Sequence, residues 1–175
     1  TLIRRIIASK AKVLVFALKG DGLNFINQAR ELGLMDHMPI AFLGMSEVEL
    51  PLFHGKATDM FVTVPFVASS DLPAVKTFVA KVKAYAGRDA TVSAYVATHY
   101  DALMAMKAAI EKAGKVDREA MINALEGLTI DTPTGLLTIG KNHHSTMNLF
   151  LAEAAGTKLR TIRSLGEVAP QPRCK

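Results

Sequence analysis

Three short apolar runs in the first 65 residues, interrupted only by Thr63, constrain this chain more than any other feature. They occupy residues 13–18, 39–43 and 60–64 and are rich in β-branched and aromatic side chains. Strands that are apolar on both faces are typical of a parallel sheet covered by helices on both sides. Helical periodicity in residues 23–32, and a capping-box spacing that begins at Ser46, predict helices between the runs. This order predicts an α/β fold with a doubly wound, mostly parallel sheet.

The middle of the chain lacks this alternation. Residues 71–87, 93–114 and 117–127 each begin with a residue suited to capping a helix and end in glycine, which predicts three helices in succession. Three further strands are predicted between residues 135 and 165, as an antiparallel addition to the sheet. The successive helices predict a second lobe whose own strands lie mostly elsewhere.

Composition excludes several classes of protein. Half of the residues are apolar, which is enough for a sizeable core. The basic residues that give the net charge of +5 are scattered along the chain, and aromatic residues are only 6%. Because nucleic-acid binders usually concentrate basic residues on one face, a nucleic-acid partner is not expected. Cys174 is the single cysteine, which excludes an intrachain disulfide and a cysteine-based zinc site. We interpret it as a solvated terminal thiol; a nucleophile and a disulfide to a segment outside this sequence are the alternatives.

No catalytic, metal or cofactor motif is found. A dinucleotide fingerprint beginning at Gly20 fails because Phe25 stands where its third glycine belongs. The adjacent His143 and His144 would point to opposite faces of a strand, and neither belongs to an HExxH motif. The apolar runs are too short to span a membrane, and a signal peptide is either missing or removed before residue 1.

Two loops are candidates for ligand binding. In open α/β sheets, ligands bind beyond the carboxyl ends of the strands, where helix N-termini also point. The glycine-rich loop over residues 18–22 follows the first predicted strand, and residues 44–47 follow the second. The alternative interpretation of each loop is a plain tight turn.

Several segments, in one order along nearly the whole chain, resemble a known family. Residues 13–34 (VLVFALKGDGLNFINQARELGL) are similar to the second-lobe βα unit of type I periplasmic solute-binding proteins of ABC importers, the leucine/isoleucine/valine-binding group. Residues 132–146 (TPTGLLTIGKNHHST) resemble the amide- and urea-binding branch most closely. The other similar segments are 39–50 (PIAFLGMSEVEL), 71–87 (DLPAVKTFVAKVKAYAG) and 97–114 (ATHYDALMAMKAAIEKAG).

The resemblance implies two α/β lobes joined by crossover strands, of which this chain holds only part. Residues 1–64 and 136–165 would belong to the second lobe, residues 66–132 to the helical part of the first, and residues 166–175 to a tail. The implied hinge positions are Val64, Pro65, Thr134 and Gly135. An N-terminal half, or another chain, would complete the fold. Without it, the middle helices would expose a large apolar face, and we expect the 175 residues alone to be poorly stable.

The resemblance also implies ligand contacts at five positions: Leu18, Lys19, Gly20, Met45 and Ser46. Amino-acid binders of this family tend to present an aromatic residue in the first loop and an acid in the second, and here Lys19 and Ser46 stand instead. A cation with a hydroxyl suits an amide, a urea or a carboxylate better than an α-ammonium group.

The implied function is that of a periplasmic, non-enzymatic component of an ABC importer. It would clamp a small polar ligand between its lobes and deliver it to a membrane permease, without a cofactor. A cytoplasmic ligand-sensing regulator on the same fold is the alternative from another class. An α/β enzyme domain with its catalytic residues in the remaining half is a third.

Overall fold

The computed structural model of the chain describes residues 2–17, 22–54 and 58–171. The first part alternates helices and strands as the apolar runs predict. Its elements are α1 (Leu2–Ala8), β1 (Leu14–Phe16), α2 (Gly22–Glu31), β2 (Ile40–Phe42) and β3 (Met60–Val64), with 3-10 turns at Leu34–Asp36 and Leu50–Phe53.

Three long or medium helices follow, and then a run of strands. These helices confirm the prediction that three helices follow one another in the middle of the chain without strands between them. These elements are α3 (Pro73–Ala86), α4 (Ala94–Ala113), α5 (Arg118–Leu125), β4 (Thr129–Thr132), β5 (Gly135–Ile139), β6 (Ser145–Ala155) and β7 (Lys158–Val168).

The described strands form one sheet with the order β1-β2-β3-β6-β5-β4, and β7 pairs with β6. The pairs β1/β2 and β2/β3 are parallel, with Leu14 opposite Ile40 and Ile40 opposite Met60. The pairs of β6 with β3, β5 and β7 are antiparallel, as is the pair β4/β5. The α/β class is confirmed, and parallel pairing among the described strands is confined to the first three.

Strand β6 connects two regions of the sheet. Its first residues, Ser145 and Thr146, pair with β5. Farther along, its residues 150–153 pair with β3, and residues 147–155 pair with β7. One continuous strand therefore joins the hairpin beside α4 and α5 to the parallel strands.

Side chains of the first three strands and their helices form the core. Ile26 and Ala29, three residues apart on α2, are fully buried, as is Ile40 of β2. Phe16 contacts Phe25 with ring centroids 4.7 Å apart, so that β1 is fixed against α2. Full burial in each of these strands is confined to one face, and the predicted burial on both faces is wrong for β1, where Val15 is 63% exposed.

Two of the predicted helix starts are confirmed by their caps. Ser93 accepts a hydrogen bond from the Val96 N–H at 3.4 Å at the start of α4, and Asp117 accepts one from the Ala120 N–H at 2.9 Å at the start of α5. Each side chain satisfies one N–H that the first turn of a helix leaves unpaired.

The helix predicted from Ser46 is wrong. Turns occupy residues 47–49, and a 3-10 turn follows at Leu50–Phe53. Pro51 lies inside that segment; it has no N–H to donate, and its ring clashes with the carbonyl four residues earlier, which prevents a regular α-helix. The capping contact itself still forms, because the Ser46 N–H donates to Glu49 Oε2 at 2.8 Å.

The predicted start of the next helix is also corrected. α3 begins at Pro73, after Leu72, and not at Asp71. Proline is favoured in the first turn of a helix because the N–H that it lacks would have no partner there. The Asp71 carboxylate instead lies 2.8 Å from the Lys76 ammonium on the surface. In the described part of the chain, no helix has the length and apolarity needed to cross a bilayer.

Candidate functional site

The two predicted binding loops differ in what the structure describes. Leu18, Lys19 and Gly20 of the first loop lie outside the described residues. The second loop follows β2 and is described in full. We define residues 44–49 as the β2 loop, and its geometry is the starting point for the site.

The side chains of the β2 loop that sequence reasoning selected are covered by the chain itself. Met45 and Ser46 are each 1% exposed. The Ser46 hydroxyl donates to Glu49 Oε2 at 3.0 Å, so its one proton is already engaged. The Tyr95 hydroxyl, in the first turn of α4, donates to the Gly44 carbonyl at 2.6 Å. Ligand contact through Met45 or Ser46 therefore requires the β2 loop to rearrange.

Glu47 is a buried carboxylate that the sequence does not identify as a candidate site residue. Its carboxylate is 6% exposed and accepts two backbone N–H groups from distant segments. Oε1 accepts from Ala68 at 2.8 Å, and Oε2 accepts from Ala94, the first residue of α4, at 3.2 Å. Burial raises the pKa of the Glu47 carboxyl, while the two N–H bonds act in the opposite direction. One feature of the sequence could have drawn attention to Glu47: it is a carboxylate in an apolar segment just after a buried strand.

The four residues predicted as hinge positions lie at or beside the ends of strands. Val64 ends β3 and is 5% exposed, and Pro65 follows it. Thr134 lies in the two-residue connection between β4 and β5, and Gly135 is the first residue of β5. Gly135 has φ +104°, a conformation that favours glycine, and a Cβ there would also force the side-chain amide of Asn148 to move.

Thr134 belongs to a buried network with Asp101 of α4. Its hydroxyl donates to Asp101 Oδ2 at 2.6 Å, and it also lies 3.0 Å from the Thr132 hydroxyl. Asp101 is 2% exposed, and its Oδ1 has no hydrogen-bond partner among the described residues. Burial raises the pKa of Asp101, while the threonine hydroxyls lower it less. The network joins the middle of α4 to the β4–β5 connection.

The burial of Asp101 predicts how the free energy of unfolding depends on pH. Because the folded state holds the Asp101 proton more tightly than the unfolded state, this group makes the free energy of unfolding fall as pH rises above its ordinary pKa of 3.8. Asp101→Asn removes the titration. We therefore expect the free energy of unfolding of the wild type, relative to that of Asp101→Asn, to decrease in urea titrations as pH rises above about 4.5, and to level off once pH passes the raised pKa of the folded state.

The control for this series is Asp131→Asn, because Asp131 is an exposed carboxylate on β4. Its stability curve should run parallel to that of the wild type. Parallel curves for Asp101→Asn as well would show that Asp101 has the same pKa in the folded and unfolded chain, and would contradict the prediction.

An apolar groove lies between α3 and α4. It encloses about 670 Å³ and is lined mainly by aromatic and aliphatic side chains. Tyr85 is 95% exposed and Leu103 is 65% exposed, although both are large and apolar. We call this the α3–α4 groove; its remaining lining residues include Phe78, Val82, Val96 and Tyr100.

The acidic and histidine side chains were compared with the arrangements that metal ions need, within the part of the chain that the structure describes. It contains no group of three or more histidine, aspartate, glutamate or cysteine side chains able to hold an ion. His143 Nε2 lies 3.8 Å from Glu126 Oε1 at the surface, an ordinary exposed pair.

A model of the family described as "Periplasmic binding protein" matches residues 1–158. Among solved structures, the solute-binding protein of an ABC transporter from R. palustris in complex with benzoate has a TM-score of 0.81 and 19% identity. The similarity covers 97% of this chain and 48% of that one. An amino acid ABC transporter substrate-binding protein from Pseudomonas fluorescens Pf-5 has a TM-score of 0.77 and 18% identity, covering 97% and 48%. Both show the fold.

A third structure is more similar in sequence. It is the solute-binding protein of an ABC transporter from Rhodopseudomonas palustris HaA2 in complex with p-hydroxybenzoic acid, with a TM-score of 0.79 and 26% identity over 98% of this chain and 49% of that one. The chain thus spans about half the length of these relatives. A curated relative, limonene hydroxylase of Geobacillus stearothermophilus, is 29% identical over 89 residues, which are 51% of this chain and 16% of that protein. Because the match covers so small a part of that protein, its activity is not assigned to this chain.

Proposed function

This chain belongs to the periplasmic binding protein family, and we propose that the protein containing it is the solute-binding component of an ABC importer. The resemblance to type I solute-binding proteins is confirmed at the level of the family, and the prediction of a non-enzymatic protein agrees with it. In the proposed mechanism, two lobes close over a small polar ligand and present it to a membrane permease. The protein would act outside the cytoplasmic membrane, in the periplasm.

One observation carries the proposal most directly. The family match extends over residues 1–158, and the 26% identical solute-binding protein covers nearly all of this chain. Because the chain spans about half of that protein, the remaining lobe, the ligand and the permease are inferred rather than contained in these residues.

The proposed ligand is a small carboxylate, with amides, urea and amino acids as the other candidates. Lys19 provides a cation in the first loop, and charge-assisted hydrogen bonds favour an anionic partner. The relative from strain HaA2 was solved with a carboxylic acid, p-hydroxybenzoic acid. Leu18, Lys19, Gly20, Met45 and Ser46 are the proposed contacts, the last two after movement of the β2 loop.

The lobes are proposed to divide as the sequence predicts. Residues 1–64 and 136–165 would form one lobe and residues 66–132 part of the other, with the hinge at Val64, Pro65, Thr134 and Gly135. The continuous strand β6 supports a boundary here, since it pairs with β5 near one end and with β3 farther along. Ligand binding would shift the population from open to closed states.

The α3–α4 groove supports a further part of the proposal. We propose that residues outside this chain supply a sheet that covers the groove and completes the first lobe. Contiguous apolar surface of this kind is rare on the free surface of a soluble protein.

A thermal-shift panel tests the proposed function. Benzoate, 4-hydroxybenzoate, benzamide, urea and leucine are added to the full-length protein at millimolar concentration. A ligand present at 100 times its dissociation constant stabilises the folded state by about 2.7 kcal/mol, which raises the melting temperature by several degrees. We expect the carboxylates to give the largest rise.

Two outcomes of the panel would contradict the proposal. If no compound raises the melting temperature, the solute-binding role loses its support. Chemical turnover of a compound that does bind, followed by NMR, would favour an enzyme instead.

A further inference from the structure

Glu47 joins three segments that are far apart in the sequence. Its carboxylate lies in the β2 loop and accepts the N–H of Ala68 and the N–H of Ala94. These partners are 21 and 47 residues away, one just after β3 and one at the first residue of α4. Each carboxylate oxygen therefore accepts one backbone hydrogen bond, and the two donors lie in different segments of the chain.

A second contact joins the same two elements. The Tyr95 hydroxyl donates to the Gly44 carbonyl at 2.6 Å, so that the first turn of α4 holds the β2 loop at both ends of the stretch from Gly44 to Glu47. Met45 and Ser46 lie between these two points and are buried. A shift of the first turn of α4 must therefore move, or break away from, the residues proposed to contact ligand.

The charge of Glu47 fits this position. A carboxylate near the N-terminus of a 20-residue helix meets the positive end of the helix dipole and an N–H without a partner inside the helix. A buried carboxylate has a high desolvation cost, which hydrogen bonds to both oxygens offset. A neutral side chain of the same size would fill the same space but would lose the negative charge and the second acceptor.

We propose that Glu47 is a positioning residue that couples the β2 loop to α4 and to the segment after β3, so that lobe closure and loop position change together. The role in closure rests on the proposed function, whereas the coupling itself does not. The inference follows from one buried side chain holding two backbone groups that belong to different parts of the fold.

Hydrogen exchange of the full-length protein without ligand tests the coupling. Glu47→Gln keeps the side-chain volume but offers one acceptor and an NH2 group. We expect exchange to become about tenfold faster, or more, at the amide of Ala94 or of Ala68, and faster throughout residues 44–49. The matched control, Glu111→Gln, removes an exposed carboxylate on α4 that pairs with Lys107, and should leave these amides unchanged.

The outcomes decide the proposal without a ligand. Unchanged exchange at both Ala68 and Ala94, or an equal acceleration over the whole chain, would overturn the coupling. If Glu47→Gln does not fold, Tyr95→Phe decides: faster exchange of residues 44–47 with Ala68 unchanged supports coupling, and unchanged exchange in the loop overturns it.

Binding of 4-hydroxybenzoate provides the readout for closure. If the wild type binds this probe, Glu47→Gln should weaken the binding about tenfold while Glu111→Gln does not. Equal binding by wild type and Glu47→Gln would overturn the role in closure and leave the proposed function intact. If the wild type binds no compound of the panel, it is the proposed function that fails, and the exchange experiment still decides whether Glu47 couples the segments.

Discussion

Replacing Leu103 with lysine should make this chain more soluble by itself and, at the same time, weaken its assembly with the rest of the protein. Leu103 lies on α4, lines the α3–α4 groove and is 65% exposed. Exposed apolar surface of this extent promotes self-association, and a lysine in its place opposes it. The isolated chain should therefore sediment as smaller species after the substitution.

Association with the rest of the protein should become weaker, because Leu103 would be buried in that interface. Burying a leucine side chain stabilises a complex by about 1.5–3 kcal/mol. A lysine at the same place loses that contribution and adds the cost of removing an ammonium group from water. We expect association with a separately produced N-terminal half to weaken at least about 100-fold, as measured by calorimetry.

Val116→Lys is the matched control for this prediction. Val116 is 82% exposed, and it is not among the residues that line the α3–α4 groove. The same change of residue type there should leave assembly unaffected. Equal weakening by both substitutions, or no weakening by Leu103→Lys, would show that the groove is not where the rest of the protein binds.

The parts of the fold that depend on local chemistry could be predicted from the sequence. The three apolar runs became β1, β2 and β3 because short segments rich in β-branched and aromatic residues favour strands. Ser93 and Asp117 cap helices as expected, since an N-cap acts over three residues. The helix predicted after Ser46 does not form because Pro51, which is visible in the sequence, cannot donate an N–H within it.

The parts that depend on distant contacts could not be predicted. Strand β4, with the sequence TIDT, carries no apolar run and exists because Ile130 and its neighbours pair with β5. Glu47 lies where the sequence predicts a helix after Ser46, whereas its carboxylate accepts an N–H in the first turn of α4, 47 residues later. No periodicity or spacing reveals such a partner, because the contact is made only when the two elements pack.

Lys19→Ala should weaken binding of a carboxylate ligand about 10- to 150-fold. A hydrogen bond to a charged group contributes about 1.5–3 kcal/mol, and each 1.4 kcal/mol is a factor of ten in affinity. Lys19 is outside the described residues, so this expectation comes from its place in the glycine-rich loop after β1 and from the family resemblance. The measurement is the dissociation constant of 4-hydroxybenzoate for the full-length protein.

Two ligands, one charged and one neutral, distinguish a direct contact of Lys19 with the ligand carboxylate from a general effect of its charge on affinity. If the Lys19 ammonium binds the ligand carboxylate, Lys19→Ala should weaken benzoate strongly and benzamide only slightly, because the amide carries no charge for lysine to meet. Lys12→Ala removes the same charge from an exposed position just before β1 and should change neither affinity. Equal losses for both ligands would mean that Lys19 supports the loop without touching the carboxylate. Unchanged affinity for both would place the binding crevice elsewhere, because the loop after the first strand of a parallel sheet would then not face the ligand.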